Sequence, residues 1–361
     1  MSADWTDQPA AVRAGEELDI ERLQAYLGER LPGAGGALVV EQFPKGFSNL
    51  TYLIRLGDRD LVLRRPPFGA NIKSAHDMGR EYRILSHLSP IYSKAPKPLL
   101  YCDDTSVLGA PFYVMERVEG IILRATMPEA MIPPPNRMAR IAEAFVDTLA
   151  ELHAVDYEAA GLGALGRPQG YVQRQIEGWI RRYERARTDD VPEIEHAAGW
   201  LAAHQPQESG AALIHNDFKY DNLVLDPDDW GRVIAVLDWE MTTLGDPLMD
   251  LGSTLGYWVD ADDPPAMHQL GLSPTTLPGN PTRAALVERY VRKSGRDVGR
   301  VVFYYVYGLF KLAVIIQQIY RRYTQGHTQD PRFSRLIDNV RGCGHVAAQA
   351  IQKGRIDRLF E

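Results

Sequence analysis

The chain reads Ile214-His215-Asn216-Asp217-Phe218-Lys219-Tyr220-Asp221-Asn222-Leu223-Val224-Leu225 and then Val233-Ile234-Ala235-Val236-Leu237-Asp238-Trp239-Glu240, and these two runs decide the reading. They set one Asp, an Asn five residues on, and a second Asp at the end of an apolar strand. Phosphoryl transfer needs such a set: a carboxylate to orient the attacking hydroxyl and two oxygen ligands for magnesium. Mg²⁺ is hard, favours carboxylate and amide oxygens, and fills its other positions with water and phosphate. Asp217 therefore reads as the base, with Asn222 and Asp238 as metal ligands. An Asp beside an Asn is, in isolation, most often a turn residue. The spacing to Asn222 and Asp238, each beside an apolar run, moves Asp217 out of that class. His215 reads as a brace for the loop, because neutral imidazole suits a buried hydrogen-bonding position. Lys219 stands where a transferred phosphate would pass, although a solvated lysine would look the same.

Working outward, 361 residues exceed what one hydrophobic core serves, so two lobes are expected. A composition of 45% hydrophobic and 24% charged residues is that of a globular protein. The formal net charge of −7 argues against a nucleic-acid binder held by a basic surface. The N-terminus lacks a charged segment followed by an apolar core, so no secretory signal is expected there. The run Val301 to Ile316 is short for a membrane span and is interrupted by Lys311, which favours a buried helix and, by default, a cytoplasmic protein. Cys102 and Cys343 suit buried free thiols.

Hydrophobic periodicity predicts a helix over 18–31, strands over 38–43, 51–56, 60–65, 99–102 and 112–118, and a helix over 75–88. Five short strands and one helix make a small α+β lobe over residues 1–118. After Glu119-Gly120 the pattern turns helical: 137–153, 172–187, 193–204, 247–257, 284–293, 300–322 and 332–351. Strand signals in this second lobe, residues 119–361, are confined to 212–215, 222–225 and 232–237, which predicts one small sheet. Gly161-Leu-Gly163-Ala-Leu-Gly166 spells a dinucleotide fingerprint, but no apolar strand precedes it and no helix follows, so it reads as a loop. No GxxxxGK[ST] motif is present.

His215-Asn216-Asp217 through Asn222, with Val236-Leu237-Asp238-Trp239-Glu240 and Leu244-Gly245-Asp246-Pro247-Leu248-Met249-Asp250-Leu251, resembles the aminoglycoside phosphotransferase/choline kinase-like family. The resemblance runs from about Gly46 to the helix near Arg322 and is nearest to the branch that includes the kinase-like region of acyl-CoA dehydrogenase-linked proteins. It implies an α+β, bilobal protein-kinase-like fold with an antiparallel N-terminal sheet and ATP between the lobes. The family often has Gly where this chain has Asn216. In the light of that resemblance Gly46, Phe47, Ser48 and Asn49 match a loop that covers phosphates with backbone N–H groups, although an ordinary hairpin reads the same. Period two puts Val62 and Arg64 on one strand face, where Val62 would wall the adenine and Arg64 would reach the phosphates. Relatives place Lys at that position, so Arg64 is a departure. Arg65 falls on the other face, expected to be solvated. Glu81 matches the glutamate that steadies the cation, and Met115, Glu116 and Val118 match the linker beside the adenine. Asp246 and Asp250 read as structural groups at a helix start.

The reading is an ATP- and Mg²⁺-dependent kinase for the hydroxyl of a small molecule, with no nucleic acid, membrane or obligate protein partner. The acceptor site is expected from residues 171–204 and 257–263. Trp179, Tyr183, Trp200, Tyr257 and Trp258 are candidate lining residues, although core packing suits most of them. Asp260, Asp262 and Asp263 offer a carboxylate cluster for an aminoglycoside's ammonium groups, or simply a polar loop. The alternatives are a hydroxyacyl-CoA kinase and a catalytically weak nucleotide-binding pseudokinase.

Overall fold

The computed structural model describes residues 8–32, 35–43, 49–69, 77–328 and 330–361. Gly46, Phe47 and Ser48 lie outside the described residues. In chain order the elements are α1 (Ile20–Arg30), β1 (Leu38–Gln42), β2 (Leu50–Leu56), β3 (Arg59–Arg65), α2 (Met78–Leu88), β4 (Pro98–Cys102), α3 (Thr105–Leu108) and β5 (Phe112–Glu116). Then come α4 (Pro135–His153), α5 (Tyr171–Ala186), α6 (Pro192–Ala203), β6 (Ala212–Ile214), β7 (Leu223–Leu225), β8 (Val233–Val236) and β9 (Thr243–Gly245). The chain ends with α7 (Pro247–Gly256), α8 (Pro265–His268), α9 (Arg283–Ser294), α10 (Val301–Thr324) and α11 (Leu336–Lys353).

The chain forms two compact units. The first gathers Met1–Ile122, Ala159–Leu162 and Leu223–Met241, and the second holds the remainder. The division is thus not a single cut of the chain.

In the first unit the five strands pair antiparallel in the order β1-β2-β3-β5-β4. Leu61 and Leu63 of β3 join a core cluster with Leu23 and Leu27 of α1 and Val107 and Leu108 of α3. The face of β3 opposite Arg64 is therefore covered. This corrects the expectation for Arg65: it is 2% exposed, donates to the carbonyls of Pro66 and Leu108, and stacks on Phe68. The β7–β8 hairpin also belongs here. Ile121 bridges to Leu225, and a side chain at Gly120 would strike the Leu225 carbonyl.

The second unit is mainly helical. One small sheet was expected in this half of the sequence, but β7 and β8 pair with each other, and β6 pairs with β9, a strand of three residues that periodicity did not reveal. Helix α10 is central. By length and composition it could cross a membrane, yet Phe303 to Val314 are continuously buried within the unit. Its contact with α7 is close because glycines face each other: a Cβ on Gly308 would collide with the Gly252 carbonyl, and one on Gly256 would meet Gly308. Cys102 and Cys343 are both buried free thiols. Residues 161–166 form turns, with neither the strand nor the helix of a dinucleotide fold.

Candidate active site

The expected site residues fall in both units.

In the second unit, β6 delivers the chain into the loop that carries Asp217. The turn needs left-handed backbone at Asn216, φ +66°, which explains why Gly and Asn both serve there. Asp250, fully buried on the first turns of α7, pins that turn by accepting the backbone N–H groups of His215 and Asn216, each at 2.7 Å. His153 supports Asp250 through Nε2 at 3.2 Å and contacts the Tyr290 hydroxyl through Nδ1 at 2.8 Å. Burial raises the Asp250 carboxyl, but the hydrogen bond and charge of His153 and the loop amides outweigh it, and its pKa lies below the ordinary value. His215 braces the loop as expected, its Nδ1 accepting the Asp217 N–H at 3.3 Å.

Asp217 itself is held at both oxygens. Oδ1 accepts from the Tyr257 hydroxyl at 2.8 Å, and Oδ2 accepts from Lys219 Nζ at 2.8 Å and Asn222 Nδ2 at 3.1 Å. Burial alone would favour its protonated form, yet the Lys219 ammonium, His215 and these donors drive its pKa below the usual carboxylate range. It is an anion at neutral pH. Asn222 also donates to the Asp217 carbonyl at 2.8 Å. With Nδ2 committed to two acceptors, the Asn222 Oδ1 receives no hydrogen bond from a described residue.

Lys311, which in the sequence only interrupts an apolar run, supports the Asp217 loop. Its Nζ, buried in α10, donates to the Asn216 carbonyl at 2.8 Å and the Ser253 hydroxyl at 3.2 Å, and burial lowers its pKa. The signal was present in the sequence, because a buried ammonium inside an apolar helix requires acceptors. Tyr171 likewise reaches Asn216, donating to its Oδ1 at 3.2 Å.

In the first unit, Val62 and Arg64 share a face of β3, and Val62 lies opposite Met115 in the strand register. The Arg64 guanidinium, nearly buried, donates to Glu81 Oε1 at 2.5 Å and Asp238 Oδ1 at 3.1 Å, with Glu240 at 3.9 Å. Burial disfavours the Arg64 cation, but Glu81, Tyr113 and Asp238 reverse this and hold it charged. Glu81 is 1% exposed and also accepts the Trp239 N–H, which ties helix α2 to the Asp238 turn. Asp238 adopts φ +66° at that turn. Its Oδ2 takes no hydrogen bond from a described residue. Asn49, buried, donates to Glu240 Oε2 at 2.5 Å. Met115 is buried on β5, the exposed Glu116 ends that strand, and Val118 follows it.

Two further expectations are settled by geometry. Asp260 and Asp263 do not offer an open carboxylate cluster, because both are buried against Arg283, which binds Asp263 through two nitrogens at 2.5 and 2.9 Å and Asp260 at 3.5 Å. Of the aromatic candidates, Tyr257 touches Asp217. Trp258 packs with Phe145 and Tyr220, Tyr183 with Phe310, and Trp200 with Phe303 and His204.

One unit with a five-stranded antiparallel sheet and a glutamate-bearing helix, and a second, mainly helical unit with an acidic loop, are the components of the protein-kinase-like fold. A profile of the phosphotransferase enzyme family matches residues 39–287, and the chain belongs to that family. Acyl-CoA dehydrogenase family member 11 of Rattus norvegicus is 36% identical over 337 residues, which is 91% of this chain and 42% of that protein. The chain thus spans less than half the length of that relative. A crystal structure of a "putative aminoglycoside phosphotransferase" from Ralstonia eutropha shares 31% identity at a TM-score of 0.78, covering 93% of this chain and 99% of that one. The GDP and kanamycin complex of APH(2")-IIIa shares the fold at 15% identity and a TM-score of 0.60, covering 90% and 98%.

Proposed function

We propose that the chain is an ATP-dependent phosphotransferase that moves the γ-phosphate to a hydroxyl group of a small molecule. The observation that carries this reading is the ionised Asp217 carboxylate, fixed by Tyr257, Lys219 and Asn222 on a loop that Asp250 and Lys311 pin from behind. Such a carboxylate orients an acceptor hydroxyl and takes its proton late in transfer. Family membership and the nucleotide in the APH(2")-IIIa complex support nucleotide use. In this reading Arg64, steadied by Glu81, clamps the ATP phosphates, Val62 and Met115 wall the adenine, and the backbone of Glu116 and Val118 meets its edge. Asn222 and Asp238 would hold Mg²⁺, and the fit rests on their chemistry: each presents a hard oxygen that takes no hydrogen bond from a described residue. Mg²⁺ bound there would neutralise charge on the phosphates.

A hydroxyacyl thioester is the second reading of the acceptor. Asp263 is paired with Arg283 and Asp260 is buried beside that pair, so neither is open to the ammonium groups of an amino sugar. The acyl-CoA dehydrogenase relatives supply the acyl class.

The test is nucleotide consumption with mass-spectrometric detection of phosphorylated product, over amino sugars, amino alcohols and hydroxyacyl-CoAs. At least one hydroxyl acceptor should be turned over. Asp217→Asn should still bind Mg-ATP by calorimetry and transfer phosphate on the order of a hundredfold more slowly. Unchanged turnover by Asp217→Asn would refute the assignment.

A further inference from the structure

Helices α5 and α10 of the second unit border an open cleft of about 500 Å³ that phosphotransfer does not explain. It is lined by Arg182, Arg185 and Ala186 from α5 and by Gln318, Arg321 and Arg322 from α10. Four guanidinium groups therefore share one concavity in a chain whose formal net charge is −7.

Their neighbours show that this is not ordinary surface pairing. Arg181 has Glu177, Arg187 has Asp190 and Glu195, and Arg341 has Asp189. Those four carboxylates are thus paired with other arginines, while none of the four cleft arginines forms an ion pair with a described residue. Glu184, between them in sequence, projects roughly 200° around the helix from Arg182 and roughly 100° from Arg185.

A simpler role would be to complement the helix C-termini, since both helices end here. Two such ends carry about −0.5 charge each, which offsets about one of the four positive charges and leaves about +3. The last carbonyl of α5 is moreover already served, because Gln317 Nε2 donates to the Ala186 carbonyl at 3.2 Å and to Thr188 Oγ1 at 2.7 Å. Arg182 also lies over an aromatic ring, its guanidinium 4.7 Å from the centre of Trp179. Such stacking fixes the planar fork and reduces what is lost on binding.

We infer that this cleft binds a soluble small molecule carrying a diphosphate or more than one phosphate group, held by Arg182, Arg185, Arg321 and Arg322 with Gln318 as an added donor. Planar guanidinium donors match phosphate oxygens in paired hydrogen bonds, and several converging cations favour a polyanion over a single carboxylate. The cleft volume admits a molecule of that size. The inference goes beyond phosphotransfer and holds whether or not Asp217 acts as a base.

The test is calorimetric titration of the full chain with inorganic pyrophosphate without added metal, in parallel with Arg182→Gln/Arg321→Gln and Arg182→Lys/Arg321→Lys. The wild type should bind, the Gln pair should bind at least about tenfold more weakly, and the Lys pair should fall between them. Equal affinity in wild type and Gln pair would place the pyrophosphate elsewhere and overturn the site, as would no binding by the wild type at low salt. Flotation with vesicles containing phosphoinositides and a gel shift with single-stranded RNA complete the test. Arginine-dependent capture by either, about tenfold tighter than pyrophosphate, would overturn the soluble ligand. Because the readout is binding, a failed acceptor screen leaves it intact, and its own failure leaves the kinase reading intact.

Discussion

Arg64 holds two carboxylates on two different nitrogens, Glu81 at 2.5 Å and Asp238 at 3.1 Å, from a position that is 7% exposed. A lysine would have to reach both carboxylates from a single nitrogen, whereas the planar guanidinium spans them with two, so Arg64 fixes the Asp238 turn as well as a charge. Glu81 lies so deep that burial raises its pKa despite Arg64 beside it. Arg64→Met should therefore leave an uncompensated buried carboxylate and cost about 3–5 kcal/mol in urea denaturation. Arg64→Met/Glu81→Met should recover part of that loss, and a double variant as unstable as the sum of two independent losses would show the pair to be uncoupled. At this scale the sequence was legible where one rule sufficed. Period two along β3 placed Arg64 correctly, but the same rule sent Arg65 to solvent because it cannot know that α1 and α3 cover the opposite face. Asn216 in place of Gly became intelligible only with its φ of +66°. The partners of Asp217 other than its own loop, Tyr257 above all, come from 40 residues away and left no local pattern.

Among elements, the α7–α10 contact joins two supports of the Asp217 loop, since α7 carries Asp250 and α10 carries Lys311. The helices approach closely because Gly252 and Gly256 face Gly308. Gly308→Ala gains the roughly 1 kcal/mol of helix propensity that Ala has over Gly. Its methyl, however, enters the space of the Gly252 carbonyl, and overpacking there costs about 1–3 kcal/mol. The expected net result is a lower melting temperature and reduced phosphotransfer, because the loop supports move apart. Gly199→Ala on α6 is the control: its Cβ meets nothing within 4 Å, so propensity should raise stability by up to about 1 kcal/mol. Gly308→Ala melting as high as Gly199→Ala would show that the close approach is not maintained in solution. The longer helices and all five strands of the large sheet were readable because apolar spacing repeats over several turns or residues. Strand β9, three residues long, and α3 and α8, four each, are too short to show a period. Pairing was less visible still, as periodicity assigns a strand and not its partner, which is why one expected sheet is two ribbons.

Across the whole molecule, carboxylates pull the pH dependence of stability in opposite directions. Asp217 and Asp250 are held below their ordinary pKa, so the stability they confer is present above that value and lost as pH falls through the lowered one. Asp260 acts the other way. Burial is its largest influence, Arg283 only partly opposes it because its fork is given to Asp263, and its pKa rises from 3.8 to about 7. Between those values the folded chain binds a proton that the unfolded chain releases, so this group makes stability fall as pH rises, with a slope of at most about −1.4 kcal/mol per pH unit. Its contribution is complete below pH 3.8 and gone above about 7. Asp260→Asn keeps an oxygen to accept the Arg283 backbone N–H, which Asp260 accepts at 3.2 Å, and cannot titrate. Urea midpoints measured from about pH 4 to about pH 8 should therefore show Asp260→Asn losing less stability than the wild type as pH rises toward 7, with the two curves parallel above it. Curves that stay parallel throughout would mean that Asp260 remains ionised against Arg283, and that the buried Arg283–Asp263 fork tolerates a second full charge beside it.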